Sequence, residues 1–100
     1  MHRVLALYGK PTDPDHFRQY YEETHVPIAR KIPGIKGFRW SFNVEGLMGE
    51  SPYFCVGELD FESADALQAA FGTPEGQATA ADVPNYATGG LTIVHYDIPD

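Results

Sequence analysis

Cysteine is almost missing from this sequence: Cys55 stands alone. One thiol cannot close an intrachain disulfide, and it makes a cysteine-based metal site a poor expectation. Basic residues are scarce too. Seven Lys and Arg face fourteen Asp and Glu, leaving a net charge of −7. That sign argues against nucleic acid and anionic membrane as partners, because both recruit cationic surface. No apolar run approaches the roughly eighteen residues of a membrane span. Met1-His2-Arg3 leads into a short apolar stretch without a small-residue cleavage site, so no signal peptide is expected. The lone cysteine fits a reducing cytoplasm. No phosphate-binding loop, dinucleotide fingerprint or Gly-x-Ser-x-Gly elbow occurs, and no cofactor is expected.

What is present reads as one small domain. Its 100 residues bury a modest core, and association with a second copy is a natural way to bury more. Val4 to Tyr8 has strand character and ends at Gly9 and Pro11. Asp13-Pro14-Asp15 has helix-start chemistry: a capping carboxylate, a proline for the first turn, and an acid for the dipole. Phe17, Tyr20, Tyr21 and Thr24 follow at helical spacing. Pro27 disfavours helical geometry at Val26, so a break or kink is expected near His25, followed by a turn through Ile28 to Lys31.

Ile35 to Val44 and Tyr53 to Asp60 read as two strands of a hairpin. Ser63 caps a second helix that carries Leu67, Ala70 and Phe71 and ends at Gly72. Thr73-Pro74-Glu75 repeats the helix-start chemistry, and a further helical turn or two through Ala78 to Asp82 stops before Pro84. Leu91 to Tyr96 is the last strand. The order βαββαβ implies an α+β ferredoxin-like fold, with both helices on one face of a four-stranded antiparallel sheet. Yet the strands are apolar on both faces. Leu5 and Leu7 alternate with Val4, Ala6 and Tyr8, and Leu91 and Ile93 alternate with Val94 and Tyr96. A second sheet of the same kind is the simplest cover for the far face, giving a homodimer whose facing sheets form a barrel.

Phe17-x-x-Tyr20-Tyr21-x-x-x-His25-Val26-Pro27-Ile28, with Ile32-Pro33-Gly34-Ile35, resembles the EthD family, named for ethyl tert-butyl ether degradation. Phe71-Gly72-Thr73-Pro74-Glu75-Gly76 and Ala81-Asp82-Val83-Pro84-Asn85-Tyr86 resemble it as well. The resemblance implies a single EthD-like domain over residues 1–100, paired as a dimeric α+β barrel. The wider superfamily includes isomerases, cyclases, decarboxylases and monooxygenases, and fold alone does not choose among them.

His25 is the leading candidate for chemistry. At a helix end beside Glu22 and Glu23, its protonated form is favoured, with Arg30 and Lys31 opposing, and a histidine near neutrality both accepts and donates protons. The other reading is a structural histidine bonded to the turn before Pro33. Glu22-x-x-His25 has the spacing of a metal pair but lacks the second pair such sites need, so no metal is expected. Phe38, Trp40 and Phe42 alternate on one strand face, either as an aromatic cavity wall or as packing against the helices. Tyr21 lies one turn before His25, as a hydrogen-bond donor or as core. Asp82 and Asn85 are expected to satisfy loop amides. Cys55 is expected to be a small buried apolar residue.

The functional expectation is a small, largely apolar organic ligand in the barrel cavity, with cofactor-free isomerase, cyclase or lyase chemistry in a catabolic or biosynthetic pathway. A non-catalytic binding protein and a cofactor-free monooxygenase are the alternatives.

Overall fold

Strict alternation of burial along the first strand sets the architecture. The computed structural model describes residues 1–99, and β1 (His2–Gly9) buries His2, Val4, Ala6 and Tyr8 while leaving the residues between them half-buried. β1 lies inside a four-stranded antiparallel sheet with β2 (Gly37–Ser41), β3 (Tyr53–Phe61) and β4 (Leu91–Asp97), in the order β2-β3-β1-β4. Register puts Val4 beside Leu59 and His95, and Ala6 beside Gly57 and Ile93. These residues share one face with Phe38 and Trp40 of β2. This is the expected α+β ferredoxin-like arrangement.

The helices cover that face. α1 (Pro14–Tyr20) starts where Asp13 accepts from the His16 amide. α3 (Ala64–Phe71) and α4 (Pro74–Asp82) start at Ser63 and Thr73, which accept from Ala66 and Gly76. All three caps follow the sequence expectation. α4 is longer than the two turns expected, and the chain continues through Pro84 in a 3-10 turn at Val83–Asn85. A Cβ on Gly76 would lie 2.3 Å from the Ala70 carbonyl oxygen, so glycine lets α4 approach the end of α3.

Pro27 does not break the helix. α1 passes into a π-helical turn at Tyr21–His25 and then into α2 (Val26–Ala29), with His25 and Val26 both in right-handed helical geometry. The Val26 amide reaches back to the Tyr21 carbonyl, five residues earlier. That wider turn makes room for the proline ring and its missing donor. The expected turn at Ile28 to Lys31 is therefore a helix end, and His25 sits mid-helix rather than at a terminus.

β2 is shorter than the ten residues expected, because pairing with β3 covers only Gly37 to Ser41. The opposite sheet face carries Leu5, Leu7, Val56, Val94 and Tyr96, flanked by Arg3, Arg39, Glu58 and Asp60. Among the described residues no helix lies over it. Arg3 donates to both Asp60 oxygens at 2.8 and 3.1 Å. No helix of the described residues is long and apolar enough to cross a membrane.

Candidate functional site

The buried core divides in two. Val4, Ala29, Ile32, Leu59, Phe61, Leu67 and Ala70 form an aliphatic half. Tyr8, Phe17, Tyr21, Cys55 and Tyr86 anchor an aromatic half. Between them a cavity of about 140 Å³ lies between the sheet and the helices. Val4, Ala6, Leu59, Phe38, Ala29 and Ile93 form much of its apolar wall, and Tyr8, Tyr21 and His25 also face it. This cavity is inside a single chain, on the helix side of the sheet.

His25 is 4% exposed. Its Nδ1 lies 2.9 Å from Asp82 Oδ2. A carboxylate only accepts, so in the neutral ring Nδ1 carries the proton and Nε2 keeps its lone pair. Nε2 takes part in no hydrogen bond among the described residues, and the His25 side chain lines the cavity. Asp82 is held in turn: Tyr20 Oη–H and Asn85 Nδ2–H donate to its Oδ1.

The electrostatics agree with a neutral imidazole. Burial pulls the His25 pKa below its ordinary value, and the Asp82 carboxylate reverses this only in part. The expectation of a protonated ring at a helix end is corrected here, because the helix does not end at His25 and the ring is desolvated. Burial acts to raise Asp82, but hydrogen bonds from Tyr20, His25 and Asn85 outweigh it and hold the carboxyl below its usual range. Asp82 was expected to satisfy loop amides; its oxygens instead receive three side chains. Nothing in local spacing announces this, since Tyr20 and Asp82 are 62 positions apart.

Tyr8 and Tyr21 belong to the wall, and Tyr86 packs beside them. The hydroxyls of Tyr8 and Tyr86 are 2.6 Å apart, and the Tyr86 ring centroid is 4.7 Å from that of His25. Burial pushes the Tyr8 pKa up to about 12 and raises Tyr21 and Tyr86 too, so all three stay protonated. The Tyr21 ring is 5.3 Å from His25, and its hydroxyl lies over Gly57, where a Cβ would come within 2.7 Å. Phe38 is in the cavity wall. Trp40 and Phe42 are not: Trp40 donates to Glu22 Oε2 at 3.1 Å, and Phe42 packs edge-on to Phe17 and Tyr21. Among the described residues no group of three His, Cys, Asp or Glu side chains converges as metal ligands. Cys55 is buried, and burial lifts its thiol to about 12, so it is not a nucleophile at neutral pH.

The EthD domain family model matches residues 9–90, a span that holds His25, Asp82, Tyr20, Tyr21 and Asn85. The chain belongs to the EthD family. An uncharacterized 11.0 kDa protein in the thcB-thcC intergenic region of Rhodococcus erythropolis is 40% identical over 98 residues, covering 97% of this chain and 94% of that protein. An ethyl tert-butyl ether d family protein from Bacillus halodurans has a solved structure with TM-score 0.90 and 33% identity, covering 99% of both chains. Two more distant structures share the fold. Hydroxynitrile lyase from Passiflora edulis has TM-score 0.77 at 14% identity, covering 99% of this chain and 94% of that one. A dimeric ferredoxin-like protein of unknown function from Thermobifida fusca has TM-score 0.71 at 18% identity, covering 97% and 90%.

Proposed function

We propose that this EthD-family chain binds a small, largely apolar organic molecule between its sheet and helices and removes a proton from it without a cofactor, with His25 as the general base. The observation that carries this reading is the Asp82–His25 pair, with Nδ1 tied to a carboxylate and the ring in the wall of an apolar cavity. Such a pair fixes the tautomer and steadies the imidazolium that forms when Nε2 takes a proton. Tyr21 and Phe38 shape the ligand's seat, and the protonated tyrosines supply donors for developing negative charge. An engineered apolar cavity of about 150 Å³ in another protein holds benzene, which sets the scale of the ligand body. A lyase on the same fold, as in Passiflora edulis, is compatible with this reaction class.

Residues 1–100 act as one domain in this reading, and two copies pair through the uncovered sheet face. Leu5, Leu7 and Val56 there are half-buried, and Val94 and Tyr96 are exposed. A second sheet removes that apolar area from water. The dimeric fold neighbour from Thermobifida fusca supports this pairing.

The test is ring opening of 1,2-benzisoxazole, a compact apolar probe. A base takes its C–H proton, the N–O bond breaks, and a nitrile and a phenolate form, read by absorbance. The protein is expected to accelerate this well beyond free imidazole, and His25→Ala to remove about a hundredfold or more of the rate. A wild-type rate no better than imidazole, or one that survives His25→Ala, overturns the reading.

A further inference from the structure

His25 is not the only histidine at this face of the sheet. Antiparallel register brings His2 of β1 beside Asp97 at the end of β4, and three side chains there form a chain. His2 Nδ1 is 2.7 Å from Asp97 Oδ1, and His2 Nε2 is 2.8 Å from His95 Nδ1. His2 is 5% exposed, whereas His95 lies at the surface. The sequence showed no ligand spacing among the histidines; pairing of the first and last strands joins two of them.

The hydrogen-bond roles along this chain follow from the carboxylate when both rings are neutral. Asp97 only accepts, so His2 Nδ1 donates to it. With both rings neutral, His2 Nε2 is then an acceptor, and His95 Nδ1 must donate to it. That leaves His95 Nε2 as a free lone pair. Among the described residues nothing is bonded to it. A surface imidazole has ordinarily no reason to be held in one orientation and one tautomer, and ordering it costs side-chain entropy. Here a buried histidine and a carboxylate do the holding.

His95 also borders a hollow of about 250 Å³ that shares Val4, Phe71 and Ile93 with the inner cavity. The two spaces therefore adjoin along one apolar wall. Ile93, one of the shared residues, is 56% exposed.

We infer that His95 is the polar anchor of the ligand: the molecule has an apolar body reaching into the inner cavity and a hydroxyl at its other end, which donates to His95 Nε2. This rests on the reading of the inner cavity as a ligand site. His2 and Asp97 are positioning residues that keep Nε2 an acceptor.

The test uses the full chain at pH 8, titrated separately with 3-phenylpropan-1-ol and with its methyl ether, which has the same body and no O–H donor. The wild-type protein is expected to bind the alcohol about three- to tenfold more tightly, the size of one net hydrogen bond. In His95→Phe, which keeps a flat ring at an exposed position, that preference vanishes while the ether binds as before. In the wild-type protein, nitrogen-15 NMR is expected to show His95 Nε2 unprotonated and shifted by the alcohol only. Equal binding of alcohol and ether, a preference that persists in His95→Phe, or a protonated Nε2 overturns the anchor alone. Failure of both ligands to bind overturns the cavity reading beneath it.

Discussion

Asp82 Oδ2 and His25 Nδ1 lie 2.9 Å apart although 57 positions separate the two residues. The pair joins the end of α4 to the π-helical turn between α1 and α2. Both partners are buried, so the contact is shielded from water and depends on how two helices pack over one sheet.

Asp82→Asn tests the direction of that bond. An asparagine amide can donate to Nδ1, which moves the ring proton to Nε2 and removes the base. Benzisoxazole opening is expected to fall by about 10²–10⁴-fold with the far-ultraviolet circular dichroism spectrum unchanged. An asparagine variant as fast as the parent would refute the role given to Asp82.

The lowered His25 pKa has a sign that pH titration can check. The folded protein holds this ring neutral below the unfolded value of 6.5. As pH falls through 6.5 the unfolded chain takes the proton first, so the unfolded state binds more protons and stability declines. Above 6.5 the contribution is flat. Urea unfolding is expected to show the midpoint dropping from pH 7 to pH 5, and His25→Phe to flatten that slope. The acid limb of the benzisoxazole rate is likewise expected below pH 6.5.

Gly57→Ala sets a methyl group against a hydroxyl. Its Cβ would sit 2.7 Å from Tyr21 Oη, too close for a real contact. Tyr21 must tilt toward the cavity it lines. A loss of about 1–3 kcal/mol in unfolding free energy is expected, together with weaker binding of 3-phenylpropan-1-ol. Thermal melting and calorimetric titration read the two effects separately.

Val94→Asp addresses the uncovered face. Val94 is 41% exposed within one protomer, so an aspartate there costs the isolated fold little. Buried against a second sheet it would be an unpaired charge. Size-exclusion chromatography with light scattering is expected to give a dimer for the parent chain and a monomer for the variant. A parent that is monomeric at all concentrations rules out pairing through this face.

The sequence by itself determined what short-range chemistry controls. Asp13, Ser63 and Thr73 cap helices because each side chain meets an amide three residues on, whatever the rest of the chain does. Alternation along β1 sets its two faces, and with the order of elements it leads to the sheet. The EthD likeness could be read from residues 17–35 and 71–86. Tertiary structure decided the rest. Pro27 disfavours a helix locally, but burial of Tyr21, His25, Val26 and Ala29 against the sheet holds the helix through it, at the cost of one widened turn. Which face Phe38 and Trp40 present is set by pairing with Leu59 and Gly57, a choice invisible to a period of two. Asp82 became the partner of His25, and His2 of His95, because helix packing and strand register join residues that no sequence spacing relates. Those long-range contacts also set the charge state of His25, since the burial they produce lowers its pKa.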